Sequence, residues 1–384
     1  MTDSIDTQGY CDERFSSVRD AFSKNFENGL ELGASLAVTV NGEFVVDIWG
    51  GYMDEAKTRP WEKETIANVY STTKAMTALC TLMLVDRGLL DLDAPAASYW
   101  PEFAQAGKEK ILVRHFLSHT SGLAGFEKKI PPEALYDWDR IVGLLAEQEP
   151  WWEPGTQSGY HALTFGYLLG ELIRRVTGQT VGAFFREEVA EPLGADFHIG
   201  LAEEHDSRVA ELIPPPELDP PDVAMSELQA TIREKMDNPP LIALQSRDRA
   251  WRAAEIPAAN GHGNARSVAR VAALMACGGE LDGVRLLSMP TLEKAIEEQS
   301  YGPDLVLIMP IRFGLGFGLT SKEIPLGPNP RAFFWGGWGG SLIVMDLDAK
   351  VSMAYVMNKM ASTTTGDTRV AGPIMALYAS LMKF

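Results

Sequence analysis

Phe15, Val18, Phe22 and Phe26 recur at the spacing of one helical face, which predicts an amphipathic helix over about 13–28 with Gly29 as its stop. The period then changes. Ala34 to Val40 and Phe44 to Trp49 are β-rich runs joined through Asn41-Gly42, a dipeptide suited to a two-residue hairpin. From roughly 65 to 265 the pattern is helical with irregular connections. Ala75 to Val85 is a long apolar stretch, Leu163 to Val176 a strong helical segment, and Pro214-Pro215-Pro216 with Pro220-Pro221 mark a loop. β character returns in Phe313 to Thr320, Ala332 to Trp335, Ser341 to Met345 and Val351 to Met357, before a closing helix near Val370 to Met382. The expected fold class is therefore mixed α+β: an antiparallel β-sheet flanked by N- and C-terminal helices, with an inserted mostly helical region. On this reading residues 1–64 and 266–384 form a discontinuous sheet domain, and 65–265 the inserted helical domain. No internal repeat is visible.

At 384 residues and 46% apolar content, the chain can bury one large core or two smaller ones. Its 52 acidic against 34 basic residues give a formal charge of -18, which repels phosphate backbones and anionic lipid surfaces and argues against a nucleic-acid partner. Residues 1–14 lack a basic start and an apolar run, and no uninterrupted apolar stretch reaches membrane-spanning length. A cytoplasmic location without membrane contact is the expectation. Cys11, Cys80 and Cys277 are too few and too scattered for a disulfide framework or a zinc cage, so core packing accounts better for Cys80 and Cys277.

Three clusters carry candidate chemistry. In Ser71-Thr72-Thr73-Lys74 a polar turn gives way to the apolar stretch, which puts Ser71 and Lys74 one helical turn apart on one face. An amine in apolar surroundings can lose its proton near neutral pH, so Lys74 is placed to activate a Ser71 nucleophile. The spacing alone is a weak signal, because Ser380-Leu381-Met382-Lys383 also fits it. The second cluster is Gly155 to Tyr160 with His161-Ala162, preceded by Trp151-Trp152-Glu153-Pro154. Tyr160 is a candidate proton carrier, useful as a base only if an ammonium such as that of Lys74 stabilises its phenolate. Considered alone it is a packed aromatic. The third cluster, Trp335-Gly336-Gly337-Trp338-Gly339-Gly340-Ser341, permits close backbone approach. An edge amide here and Ser71 N–H could bind a developing oxyanion. Its bland alternative is a glycine-rich hairpin with aromatic caps.

Order and context together resemble the penicillin-recognising serine hydrolases: class C β-lactamases, D-alanyl-D-alanine peptidases and family VIII carboxylesterases. The resemblance covers nearly the whole chain. It rests on Val69-Tyr70-Ser71-Thr72-Thr73-Lys74, on Leu117-Ser118-His119-Thr120-Ser121-Gly122-Leu123, on Trp152-Glu153-Pro154-Gly155 with Tyr160, on Gly278-Gly279-Glu280-Leu281-Asp282-Gly283, and on the Trp335 cluster. It implies a β-lactamase/transpeptidase-like fold with Ser71 acylated, Lys74 and Tyr160 sharing proton transfer, and Trp335, Gly336 and Gly337 lining the opposite wall. It also implies Trp338 N–H as the second oxyanion donor beside Ser71 N–H. The lactamases and peptidases usually carry Lys or His where Trp335 stands, and an indole cannot supply that charge to a substrate carboxylate. Trp-Gly-Gly is similar to the form in family VIII carboxylesterases. Ala162 also replaces the asparagine expected two residues after the tyrosine. Both departures favour neutral esters over penicillins.

The remaining candidates are weaker. His115 and His119 stand four apart, but no Glu follows His115 as a zinc protease motif requires. No Gly-x-Ser-x-Gly elbow appears, and Gly261-His262-Gly263 lacks the continued pattern of a nucleotide loop. His161 is a candidate partner for the Tyr160 proton and, with Trp152, for contact with substrate. Trp151, Trp152 and Trp338 suit an apolar acyl or aryl group, and packing explains them nearly as well. The reading is a serine carboxylesterase acting on small neutral esters, with no metal or organic cofactor. An alcohol or amine competing with water would make the site an acyltransferase. Amide hydrolysis of the β-lactamase or D-Ala-D-Ala peptidase kind is the other alternative chemistry. The non-enzymatic alternative is a ligand-binding or sensor protein retaining the fold.

Overall fold

The computed structural model describes residues 6–216, 225–364 and 366–383; Pro220-Pro221 lies outside them. Among the described residues nine antiparallel strands form the main sheet: β1 (Gln8–Cys11), β2 (Gly33–Val40), β3 (Glu43–Gly51), β4 (Ser300–Pro303), β5 (Pro310–Phe313), β6 (Gly318–Leu319), β7 (Ala332–Gly336), β8 (Leu342–Asp346) and β9 (Val351–Met357). Their order is β1-β3-β2-β9-β8-β7-β6-β5-β4, so the two ends of the chain meet where β2 pairs with β9, Leu36 opposite Tyr355. The β2–β3 hairpin turns at Asn41 (φ 52°) and Gly42 (φ 86°), both in the left-handed region that a two-residue turn of this kind needs.

Helix α1 (Ser16–Glu27) buries Val18, Phe22 and Phe26, as the helical spacing predicts. Phe22 meets the Tyr355 ring edge-on at 5.8 Å. The turn that bears Ser71 opens α2 (Thr73–Asp86), all but two of whose residues are buried. Helix α3 (Thr164–Thr177) packs on α2 and ends at Gly178 (φ 75°), which supplies a left-handed cap. Helix α4 (Glu227–Met236) starts with a Ser226–Gln229 capping box and lays Ile232, Leu228 and Met236 against Trp151 and Trp152. Helix α5 (Ala265–Ala276) covers one face of the sheet, where Ser352 Oγ donates to Ala269 O at 2.9 Å. Helix α6 (Thr368–Leu381) pairs with α1 on the other, since Ser352 and Tyr355 are three residues apart and point to opposite faces.

The strand expected over Phe313 to Thr320 is broken in two. Leu315 N–H donates to Ala295 O at the end of the helix Met289–Ala295, and Gly316 N–H to Leu117 O in the helical region, each at 2.8 Å, which draws the loop between β5 and β6 out of the sheet. Gly316 (φ 89°) there lies so close to α2 that an added Cβ would be 2.4 Å from the Ala78 methyl. Among the described residues no helix is long and apolar enough to cross a membrane.

Candidate active site

Ser71 sits in a single tight helical turn, Tyr70–Thr72, that runs directly into α2. Tyr70 has φ 42°, a costly conformation for a bulky residue that survives only where its surroundings fix it. They do so from several sides. Thr73 Oγ1 donates to Tyr70 O at 2.5 Å, and Ser341 Oγ donates to Val69 O at 2.7 Å. Val69 N–H donates to Gly261 O at 2.9 Å. The Tyr70 ring packs on Trp338 (centroids 5.1 Å apart) and Trp251 (6.3 Å). Its hydroxyl donates to Ala243 O at 3.3 Å. The turn is thus held between β8, the loop before α5 and the segment after α4. Ser71 remains partly exposed while Tyr70 and Thr72 are buried.

One turn later, Lys74 Nζ lies 3.1 Å from Ser71 Oγ. Two carbonyl oxygens complete its surroundings, Ala162 at 2.7 Å and Ala258 at 3.0 Å. The side chain is 1% exposed, and burial drives its pKa well below that of a free lysine. A neutral amine has two N–H bonds and one lone pair. With both N–H groups taken by carbonyls, the lone pair is left for the third direction, toward Ser71 Oγ.

Tyr160 reaches the same point from the loop before α3. Its N–H donates to Asp304 Oδ1 at 3.0 Å, and its phenol oxygen accepts from Trp335 Nε1 at 3.3 Å. Burial raises the phenol pKa, opposed by hydrogen bonding to the Ser71 hydroxyl and the Trp335 indole. Lys74 Nζ lies 4.6 Å from the ring centroid, over the face of the phenol ring. Burial pushes both groups toward their uncharged forms, the reverse of the ammonium–phenolate pair that Tyr160 would need to act as a base.

The third cluster closes the site from the sheet. Trp335, 1% exposed, ends β7 with Gly336, which pairs with Leu342. At Gly337 an added Cβ would sit 2.1 Å from Val69 O and 3.2 Å from Ser71 N, so only glycine lets this strand end approach the serine turn. Trp338 N–H follows immediately and has no protein acceptor among the described residues.

Two expected contact residues lie deeper. His161 is fully buried. Its Nδ1 bonds Gly159 O at 2.6 Å and its Nε2 bonds Ser121 Oγ at 2.7 Å, with burial lowering its pKa to about 3. Both ring nitrogens are engaged, so this imidazole braces the Tyr160 loop from behind and has no free atom for substrate. Trp152 is enclosed by Ala124, Ile232 and Leu305, and its Nε1 donates to Gln157 O at 2.9 Å. It ties α4 to the same loop. His115 Nδ1 accepts from Leu112 N–H and His119 Nδ1 from His161 N–H, which gives each a structural use. Among the described residues no group of His, Cys, Asp and Glu is arranged to hold a metal ion.

Sequence reasoning did not find Asp304. Its buried Oδ1 accepts from three amides, those of Tyr160, Val306 and Leu307, at 2.8 to 3.0 Å. An isolated aspartate far along the chain carries no motif. Nor did it find the Ala162 and Ala258 carbonyls, which no side chain signals. A cavity of about 620 Å³ lies elsewhere, lined by Tyr136, Trp138, Arg174 and Glu255 among others. Its Thr180 hydroxyl donates to Glu255 Oε1 at 2.7 Å and caps the helix Val181–Phe185, and Arg174 there is paired with Asp139 at 2.7 Å.

Comparison with known proteins identifies the family. The β-lactamase family model matches residues 22–372. "Esterase/beta-lactamase LipL" of Mycobacterium tuberculosis is 36% identical over 370 residues, covering 92% of this chain and 83% of that protein. A crystal structure of a family VIII carboxylesterase superposes with a TM-score of 0.91 at 44% identity, covering 98% of this chain and all of that one. A penicillin-binding protein homologue from Caulobacter crescentus gives the same TM-score, 0.91, at 41% identity over 98% of this chain and 100% of its own. The chain belongs to the β-lactamase family and is a serine hydrolase.

Proposed function

We propose that the protein is a carboxylesterase that cleaves neutral esters through an acyl-enzyme on Ser71. Lys74, neutral in its buried setting, takes the Ser71 proton as Oγ attacks the ester carbonyl carbon. The backbone amides of Ser71 and Trp338 receive the oxyanion. As the bond to the leaving oxygen breaks, Tyr160 passes its phenol proton to the alkoxide and is reprotonated from Lys74. Water then attacks the acyl-enzyme, the same pair accepts its proton, and Ser71 recovers its own.

The observation that carries the ester reading is the Trp335 indole on the Tyr160 phenol oxygen at 3.3 Å. It puts a neutral donor where a carboxylate-bearing substrate would require a cation. The similarity to a family VIII carboxylesterase supports the same reading. The β-lactam half of the LipL name and the penicillin-binding homologue favour slow β-lactam hydrolysis as a side reaction. Steady-state hydrolysis of p-nitrophenyl acetate and butyrate beside nitrocefin tests the ranking. Esters turned over with a kcat/KM well above that of nitrocefin are expected, and efficient nitrocefin hydrolysis would reverse it.

A further inference from the structure

We infer that Arg369 is a positioning residue for the oxyanion-binding amide of Trp338, an inference that rests on the serine esterase reading. Arg369 occupies the second position of α6 and is 5% exposed. Its Nη2 donates to Gly339 O, which also accepts from Ala361 N–H at 2.9 Å. The peptide that carries this carbonyl also carries the Gly340 N–H, which donates to Gly337 O at 3.0 Å. That oxygen in turn belongs to the peptide bearing the Trp338 N–H. In a planar trans peptide the C=O and N–H point in opposite directions. Two peptide planes therefore relay the guanidinium to the cleft: fixing Gly339 O fixes Gly340 N–H, which holds Gly337 O and aims Trp338 N–H the other way.

The rest of the guanidinium is committed. Nη1 donates to Lys359 O at 2.7 Å and meets Glu31 Oε1 at 2.9 Å, while Nε lies 2.9 to 3.0 Å from both oxygens of Asp367. Gly340 (φ 123°) lies flush against it, since an added Cβ would be 2.3 Å from both Nη2 and Asp367 Oδ2. Such a loop of three glycines and one tryptophan has little stiffness of its own. The clamp supplies it.

Kinetics of Arg369→Ala, Arg369→Lys, Glu31→Gln and Ser71→Ala on p-nitrophenyl butyrate test this, with phenylboronic acid as a tetrahedral mimic. Arg369→Ala should lower kcat about 10- to 100-fold with KM within about threefold, and weaken the boronate by a similar factor. Arg369→Lys should fall between. Glu31→Gln removes an ion-pair partner but leaves the Gly339 contact, so its thermal stability should drop while kcat stays within about twofold. If Arg369→Ala does not fold, Arg369→Lys, which keeps a cation beside Asp367, decides the matter. A folded Arg369 variant with wild-type kcat and boronate affinity, or a Glu31→Gln variant as impaired as Arg369→Ala, would overturn the inference. Ser71→Ala separates the two levels: turnover without the Ser71 hydroxyl would sink the serine reading and this inference with it, whereas an inactive Ser71→Ala beside an unimpaired Arg369→Ala sinks the clamp alone.

Discussion

The indole N–H of Trp335 donates to the phenol oxygen of Tyr160 at 3.3 Å, deep in the cleft and within the reach of Ser71. This bond fixes where the phenol proton points, so in the proposed reaction it bears on leaving-group protonation more than on ground-state binding. Trp335→Phe keeps the packing on His119 and Phe313 and removes the donor. We expect a roughly tenfold loss in kcat on p-nitrophenyl butyrate with KM little changed, the size of one neutral hydrogen bond.

Lys74 gives the pH dependence its sign. Burial lowers its pKa, so the base form persists to lower pH than a free lysine, whose pKa is about 10.4, would allow. The acid limb of kcat/KM should lie well below that value. Burial raises the Tyr160 pKa, so loss of the general acid on the alkaline side should come above about 10. Between its native and free pKa values Lys74 binds more protons unfolded than folded. Stability therefore rises with pH across that window, by up to about 1.4 kcal/mol per pH unit from this one group. Urea titrations at several pH values should show the extra slope in wild type and not in Lys74→Met.

Gly337 tests the approach of the sheet to the serine. Gly337→Ala must push the strand end off Val69 O and Ser71 N, so kcat should fall by about 10²-fold or more, the cost of losing an oxyanion donor. Gly143, in the helix Trp138–Glu147, has nothing within 4 Å of an added Cβ. Gly143→Ala should leave kinetics untouched and stabilise the fold by roughly 0.5–1 kcal/mol, measured by urea unfolding.

Asp304 holds the Tyr160 loop through its backbone. Asp304→Ala strands the buried amide donor of Tyr160 and the half-buried ones of Val306 and Leu307, and we expect a loss of about 3 kcal/mol in urea unfolding. The kcat should fall as well, because Tyr160 loses its anchor. Asp304→Asn keeps an accepting oxygen of the same shape and should retain most of both.

Much of this was legible in residue pattern. Asn41-Gly42 turned the hairpin because two consecutive positive φ values suit few other dipeptides. Ser71 and Lys74 met because helical spacing is a local property. Tertiary constraints were not legible. The run from Phe313 to Thr320 has strand character throughout, yet Ala295 and Leu117 carbonyls pull its centre out of the sheet. His161 and Trp152 stood close to the site in sequence, but adjacent residues on a loop point in different directions and both turned inward. Asp304 and Arg369 act on backbone groups, which leave no trace in side-chain pattern.

The central claim is a covalent bond at Ser71. Intact-protein mass spectrometry after brief incubation with p-nitrophenyl butyrate and acid quench, followed by peptide mapping, reads it directly. A gain of one butyryl group located on Ser71, absent in Ser71→Ala, is the predicted result. Nitrophenol release with the acyl group mapped to another residue, or undiminished release by Ser71→Ala, would contradict the account.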